Sequence, residues 1–188
     1  NGRDPTWSPV GTEIAFSREG NIWSHDMQSG QEFQITLNLN NATSPVWSPL
    51  ADLIAYRRSG DIWVVSAYGG ESEPLAESAG WINWASNGSA LYAHSNKSND
   101  YDGIWGDVWN YQLQDKPNAG NKWGGSQGHF PFVASDGSFV VSFQIIEGQG
   151  LLIQDPSAKT GRIFFVAPDG RIPYMPTVSP SRTRVAFF

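Results

Sequence analysis

Five echoes of one short phrase predict the fold class of this 188-residue chain: an all-β β-propeller of four-stranded antiparallel blades. The echoes are WSP at Trp7–Pro9, WSP at Trp47–Pro49, WAS at Trp84–Ser86, VAS at Val133–Ser135 and VSP at Val178–Pro180. Their spacings of 40, 37, 49 and 45 residues lie in or close to the period at which propeller blades recur. Two further observations agree. The runs between echoes are short, rich in Ile, Val, Phe, Tyr and Trp, and bounded by Gly, Pro, Asn or Asp. No stretch of a dozen residues keeps a helical period.

The first unit reads as four strands in order: PTWS (Pro5–Ser8), EIAFS (Glu13–Ser17), NIWSH (Asn21–His25) and EFQIT (Glu32–Thr36). The second repeats the plan with PVWS, LIAYR, DIWVVS and EPLA, ending at Ala76. The third departs from it. LYAHS (Leu91–Ser95) is followed by the polar NKSNDYDGIWG before DVWNYQL resumes, and the Gly-rich stretch 114–128 hides any fourth strand. The fourth unit again offers four strands, FPFVAS, SFVVSFQ, GLLIQD and RIFFVA, and the fifth only YMPTVS and RVAFF. The expected division is one propeller over 1–188, with blades near 4–40, 41–79, 80–128 and 129–170 and a partial blade at 171–188, about four and a half in all. The turns include Asn87-Gly88 and Asp136-Gly137, residues that tolerate positive φ.

Alternation within EIAFS and LIAYR sets Ile14 and Phe16, and Ile54 and Tyr56, on one face, with Ala15 and Ala55 on the other. A four-stranded blade must bury both faces against neighbours, and small residues opposite large ones suit that stacking. Trp7 and Trp47, in register, are expected to pack between blades, as are Trp23 and Trp63. Ser8 and Ser48 are expected to tie the hinge to local backbone.

W-S-P-x-G-x-x-I-A-F followed by N-I-W, matched by W-S-P-x-x-x-x-I-A-Y followed by D-I-W-V-V, resembles the WD40-like repeat of the TolB-like propellers and of the propellers in prolyl-oligopeptidase and tricorn-type peptidases. The likeness is strongest over 4–36 and 44–76. It implies a larger ring of six or more blades, of which these units are part, and points to a periplasmic or extracellular setting with envelope-associated partners.

Composition narrows the function. A formal charge of −6 and a pI near 4.9 disfavour nucleic acid and anionic membrane surfaces. The chain has no cysteine, which excludes thiol nucleophiles, and no apolar run long enough for a transmembrane helix. None of the G-x-S-x-G, Walker or dinucleotide-binding motifs occurs, and no stretch of these residues reads as a signal peptide, which is uninformative in a mature chain or a piece. The three histidines, His25, His94 and His129, occupy non-equivalent repeat positions, so a metal site would need them to converge. Asn99, Asp100, Asp102 and Asp107, grouped around glycines, offer oxygen ligands for a structural calcium, while no other cofactor is implied.

Departures from a repeat place variable loops on one face of a rigid scaffold. The expected binding surface is therefore 96–109 with 123–129, carrying Tyr101, Trp105, Trp109, Trp123 and His129. The expected function is a non-catalytic binding scaffold for a protein or peptide. Two alternatives stand beside it. One is a carbohydrate-active or peptidase-associated propeller that positions substrate, including a metal-assisted lyase; the other is a structural domain of a larger secreted protein. An unpaired blade edge would favour self-association.

Overall fold

The structure is a computed structural model that describes residues 2–95, 108–124, 129–134, 136–144, 150–155, 161–166, 168, 176–179 and 181–187. Blade one is β1 (Arg3–Trp7), β2 (Glu13–Arg18), β3 (Asn21–Asp26) and β4 (Glu32–Gln34). Blade two is β5 (Ala42–Trp47), β6 (Leu53–Arg58), β7 (Asp61–Ser66) and β8 (Glu73–Ala76). Blade three is β9 (Ala79–Trp84), β10 (Ala90–Ser95), β11 (Val108–Gln112) and β12 (Asn121–Gly124). Blade four is β13 (His129–Val133), β14 (Val140–Gln144), β15 (Gly150–Gln154) and β16 (Arg162–Val166), and β17 (Thr177–Val178) pairs with β18 (Val185–Ala186). Each blade is an antiparallel meander in chain order. Blade three does have its fourth strand: β12 is NKWG, a segment with one large apolar residue, which is why alternation did not reveal it.

The repeated phrase is a turn. In all five units the backbone N–H of the residue after the hinge aromatic or valine donates to a carbonyl five residues on: Ser8 to Glu13, Ser48 to Leu53, Ala85 to Ala90, Ala134 to Phe139 and Ser179 to Arg184, at 2.8–2.9 Å. The turn closes on a left-handed residue three positions along, which is Gly11, Ala51, Gly88, Gly137 or Arg182. Ser8 Oγ accepts from the Glu13 N–H at 3.0 Å, and Ser48 Oγ accepts from the Leu50 N–H at 3.2 Å while donating to Asp52 at 2.9 Å. These serines tie the hinge to local groups as the sequence implies.

Blades stack small against large. Ala15 of blade one shares a buried cluster with Ile54 and Tyr56 of blade two, and Ala55 of blade two shares another with Leu91 and Ala93 of blade three. The first strands lie side by side, β1 by β5, β5 by β9 and β9 by β13, forming the inner edge. The hinge tryptophan closes each stack against the preceding blade. Trp47 packs on Ala15 and Ile22, and Trp84 packs on Ala55 while its Nε1 donates to the Val46 carbonyl at 3.0 Å. Trp7 differs from the expectation: no described blade lies on its preceding side, and it is 57% exposed against 6% for Trp47. Trp63 packs against the core shared by blades one and two, as expected, and both Trp23 and Trp63 carry stacked guanidinium groups, Arg18 at 3.9 Å and Arg58 at 4.9 Å from the ring centroids.

Two outcomes follow from this packing. Trp47→Ala is expected to cost about 3–5 kcal/mol in urea unfolding, and Trp7→Ala less than about 1 kcal/mol, although the two sequences read alike. Burial raises the Tyr111 phenol above its usual value between blades two and three. The unfolded chain therefore ionises first, so stability present below about pH 10 falls as pH rises through that value. Tyr111→Phe should flatten the decline measured between pH 8 and 11.

Candidate functional site

Blade three holds the expected binding surface at one end. Val108 is paired with His94 on one side and Gly124 on the other, so β10 and β12 finish, and β11 begins, at the same edge of the sheet. The twelve-residue connection 96–107 and the connection 125–128 thus leave from one end of one blade. Tyr101, Trp105, Asn99, Asp100, Asp102 and Asp107 lie outside the described residues. Half-buried Trp109 packs against the core between blades two and three, opposite Ala93, where the earlier blades carry Phe16 and Tyr56. Trp123 lies in β12, and His129 begins β13 paired with Phe143.

The histidines are dispersed over three blades. His25 Nδ1 in β3 lies 3.7 Å from Glu32 Oε1, His94 in β10 is 1% exposed, and His129 is in β13. Among the described residues no three His, Cys, Asp or Glu side chains come together as a metal site.

The inner edge shows what strand reading missed. Each first strand carries one extra residue relative to its partner, between Arg3 and Thr6, Thr43 and Val46, Gly80 and Ile82, and His129 and Phe132. In the first three blades the bulged residue is left-handed: Asp4 at φ 53°, Ser44 at 52° and Trp81 at 51°. Pro5 and Pro45 follow the first two, where a missing N–H is no loss on an inner edge. A bulge bends the strand and re-aims its side chain. A tryptophan at positive φ costs about 1–3 kcal/mol, a strain that concentrates at functional positions.

Across each bulge stands one register-equivalent residue of the second strand: Ser17, Arg57, His94 and Phe143. The frame around these positions is kept apolar, but the positions themselves change chemistry from blade to blade. In blade one Ser17 Oγ donates to the Arg3 carbonyl at 3.1 Å and to Asp4 Oδ2 at 3.2 Å, and the Ser44 N–H donates to the same oxygen at 3.2 Å. In blade two Arg57 reaches across to blade three, where a Cβ on Gly80 would stand 3.6 Å from its Cζ. Arg57 Nε is shielded from solvent and has no hydrogen-bond partner among the described residues. Asp4, Ser44, Arg57 and Trp81 line a common cavity of about 320 Å³ with Pro5 and Pro45.

A larger cleft, of about 570 Å³, opens between blades two and three at the opposite end of the sheets. Its floor is Leu53, Val64, Leu75 and Leu113, and its rim carries Glu71, Glu73 and Asp115.

If the bulges impose the left-handed conformation, Ser44→Gly relieves it without removing a side-chain hydrogen bond. The variant is expected to gain about 1 kcal/mol in urea unfolding, whereas a loss of that size would contradict the strained geometry.

Over residues 2–44 the sequence matches the N-terminal region of dipeptidyl peptidase IV (DPP IV). No curated protein matches it in sequence. Putative TolB from Agrobacterium tumefaciens superimposes with a TM-score of 0.78 at 16% identity, covering 100% of this chain and 69% of that one. TolB from Acinetobacter baumannii gives 0.71 at 15% identity, covering 98% of this chain and 48% of its own. A puromycin-hydrolyzing peptidase from Mycobacterium tuberculosis gives 0.69 at 16% identity, covering 100% and 36%. The chain spans half or less of the last two proteins. Identities this low carry the fold alone, and the fold is shared with a peptidase, so function must be argued from the site. The chain has an all-β, TolB-resembling propeller fold built of four-stranded antiparallel blades.

Proposed function

We propose that the chain is a non-catalytic propeller scaffold that binds a protein or peptide partner. One observation carries the reading: the described blades repeat the same turn and packing frame, while the longest connection between strands, 96–107, leaves from one end of blade three beside Val108, where the 125–128 connection also leaves. A rigid repeat frame with variation gathered at one end is how such scaffolds present a recognition surface. Likeness to TolB supports a periplasmic or extracellular setting.

A second reading is a propeller that positions substrate for a peptidase domain. The match over residues 2–44 to the DPP IV N-terminal region favours it. Both readings place peptide at the scaffold and chemistry elsewhere.

Replacing 96–107 with an Asn-Gly hairpin turn tests the first reading. The shortened chain is expected to melt within a few degrees of the parent. A partner captured by the parent, once purified, should bind the shortened chain at least about tenfold more weakly. Undiminished binding, or turnover of peptide or uronate oligosaccharide substrates by this chain alone, would contradict the proposal.

A further inference from the structure

We infer that the inner-edge cavity beside Arg57 and Trp81 is a second site, which takes the C-terminal residue of a peptide and grips its terminal carboxylate. The inference rests on the peptide reading above, but it concerns different residues, on the first and second strands at the inner edge, where Trp81 follows Gly80, the partner of His94 at the same end of blade three.

Arg57 carries the argument. A guanidinium presents five donors and is never neutral in a protein, so an acceptor is expected wherever one is shielded. The two arginines that stand one position further along their strands meet that expectation or stack: Arg18 donates to Glu32 Oε2 at 2.9 Å and lies over Trp23, and Arg58 lies over Trp63. Arg57 does neither. It makes no ion pair or hydrogen bond among the described residues, and its Nε is out of contact with solvent. Asp4, the carboxylate of the same cavity, is engaged by the Ser17 hydroxyl and the Ser44 N–H rather than by Arg57. The Arg57 guanidinium is therefore left without an acceptor in this cavity, and a planar fork of that kind can hold a carboxylate by two parallel bonds.

The walls define what accompanies that carboxylate. Trp81 is 37% exposed, and Pro5, Pro45 and Ile82 continue the apolar lining beside it. About 320 Å³ accommodates one apolar or aromatic side chain with its carboxylate. A single carboxylate beside one apolar side chain is the chemistry of a peptide C-terminus, a recurrent target of recognition. Trp81 lines this wall from a bulge at φ 51°, the position at which blades one and two carry Asp4 and Ser44.

Fluorescein-labelled Gly-Ser-Gly-Phe, with either a free carboxylate or a C-terminal amide, is the probe. By anisotropy the acid should bind the full chain at least about tenfold more tightly than the amide. Arg57→Gln should abolish that preference while leaving amide binding and the melting temperature little changed, and Trp81→Ala should weaken both probes. The chain shortened at 96–107 should bind the acid as the parent does, which separates this site from the end surface. Equal binding of acid and amide, no binding of either, a preference that survives Arg57→Gln, or equal binding of an amidated peptide bearing an internal aspartate would each overturn the inference.

Discussion

Everything in this chain depends on a stacking constraint: a four-stranded blade has two apolar faces and cannot hide either alone. The solution is set by single residues. Ala15 and Ala55 are fully buried because the neighbouring blade brings Ile54 and Tyr56, or Leu91, against them. A larger side chain at either alanine would force the blades apart, and a smaller one at Ile54 or Tyr56 would leave a void. Trp47 and Trp84 then seal the inner end of each stack against the preceding blade. Blade three meets the same demand with different residues. It has Ala93 where blades one and two have Phe16 and Tyr56, and Trp109 packs beside it from the next strand.

Once stacking fixes the frame, the positions it leaves unconstrained become informative. The hinge turn is chemically constant because each unit must make the same backbone bonds. The bulge and the residue facing it lie at the inner edge and differ from blade to blade, although Ser17, His94 and Phe143 are themselves buried. There the chain sets aspartate with serine, serine with arginine, and tryptophan with histidine. Of these positions, Asp4, Ser44, Arg57 and Trp81 open on a common cavity.

Much of the fold was legible in the sequence because the phrase W-S-P-x-G reports a turn that the backbone needs five times. Strand alternation around Ile14, Ile54 and Val140 was readable for the same reason. β12 was hidden because Asn121, Lys122 and Gly124 give no alternation, and its pairing with β11 supplies the strand instead. The inner-edge bulges were hidden because PTWS and PVWS read as plain strands, whereas a bulge is a difference in residue count between partners. Pro5, Pro45 and Pro131 were the available signal, since proline inside a strand marks an edge or a bulge. Trp7 could not be told from Trp47, because exposure depends on which neighbour a blade has. The site was legible only in part. Sequence reasoning looked where the repeat breaks, and 99–107 lies outside the described residues; Arg57 lies where the repeat continues, and only register alignment with Ser17 and His94 marks it.

The central claim is that the frame is structural and the recognition chemistry sits at the inner edge and the variable end of blade three. Nitrogen–proton correlation spectra of the full chain, titrated with the unlabelled Gly-Ser-Gly-Phe acid, test it most directly. Shifts are expected at the Trp81 indole and at the amides of Thr43, Ser44, Val46 and 80–82, with the amides of β4 and the non-proline amides of β8 unmoved. Shifts confined to the outer strands, or to the cleft lined by Leu53, Leu75 and Leu113, would contradict it.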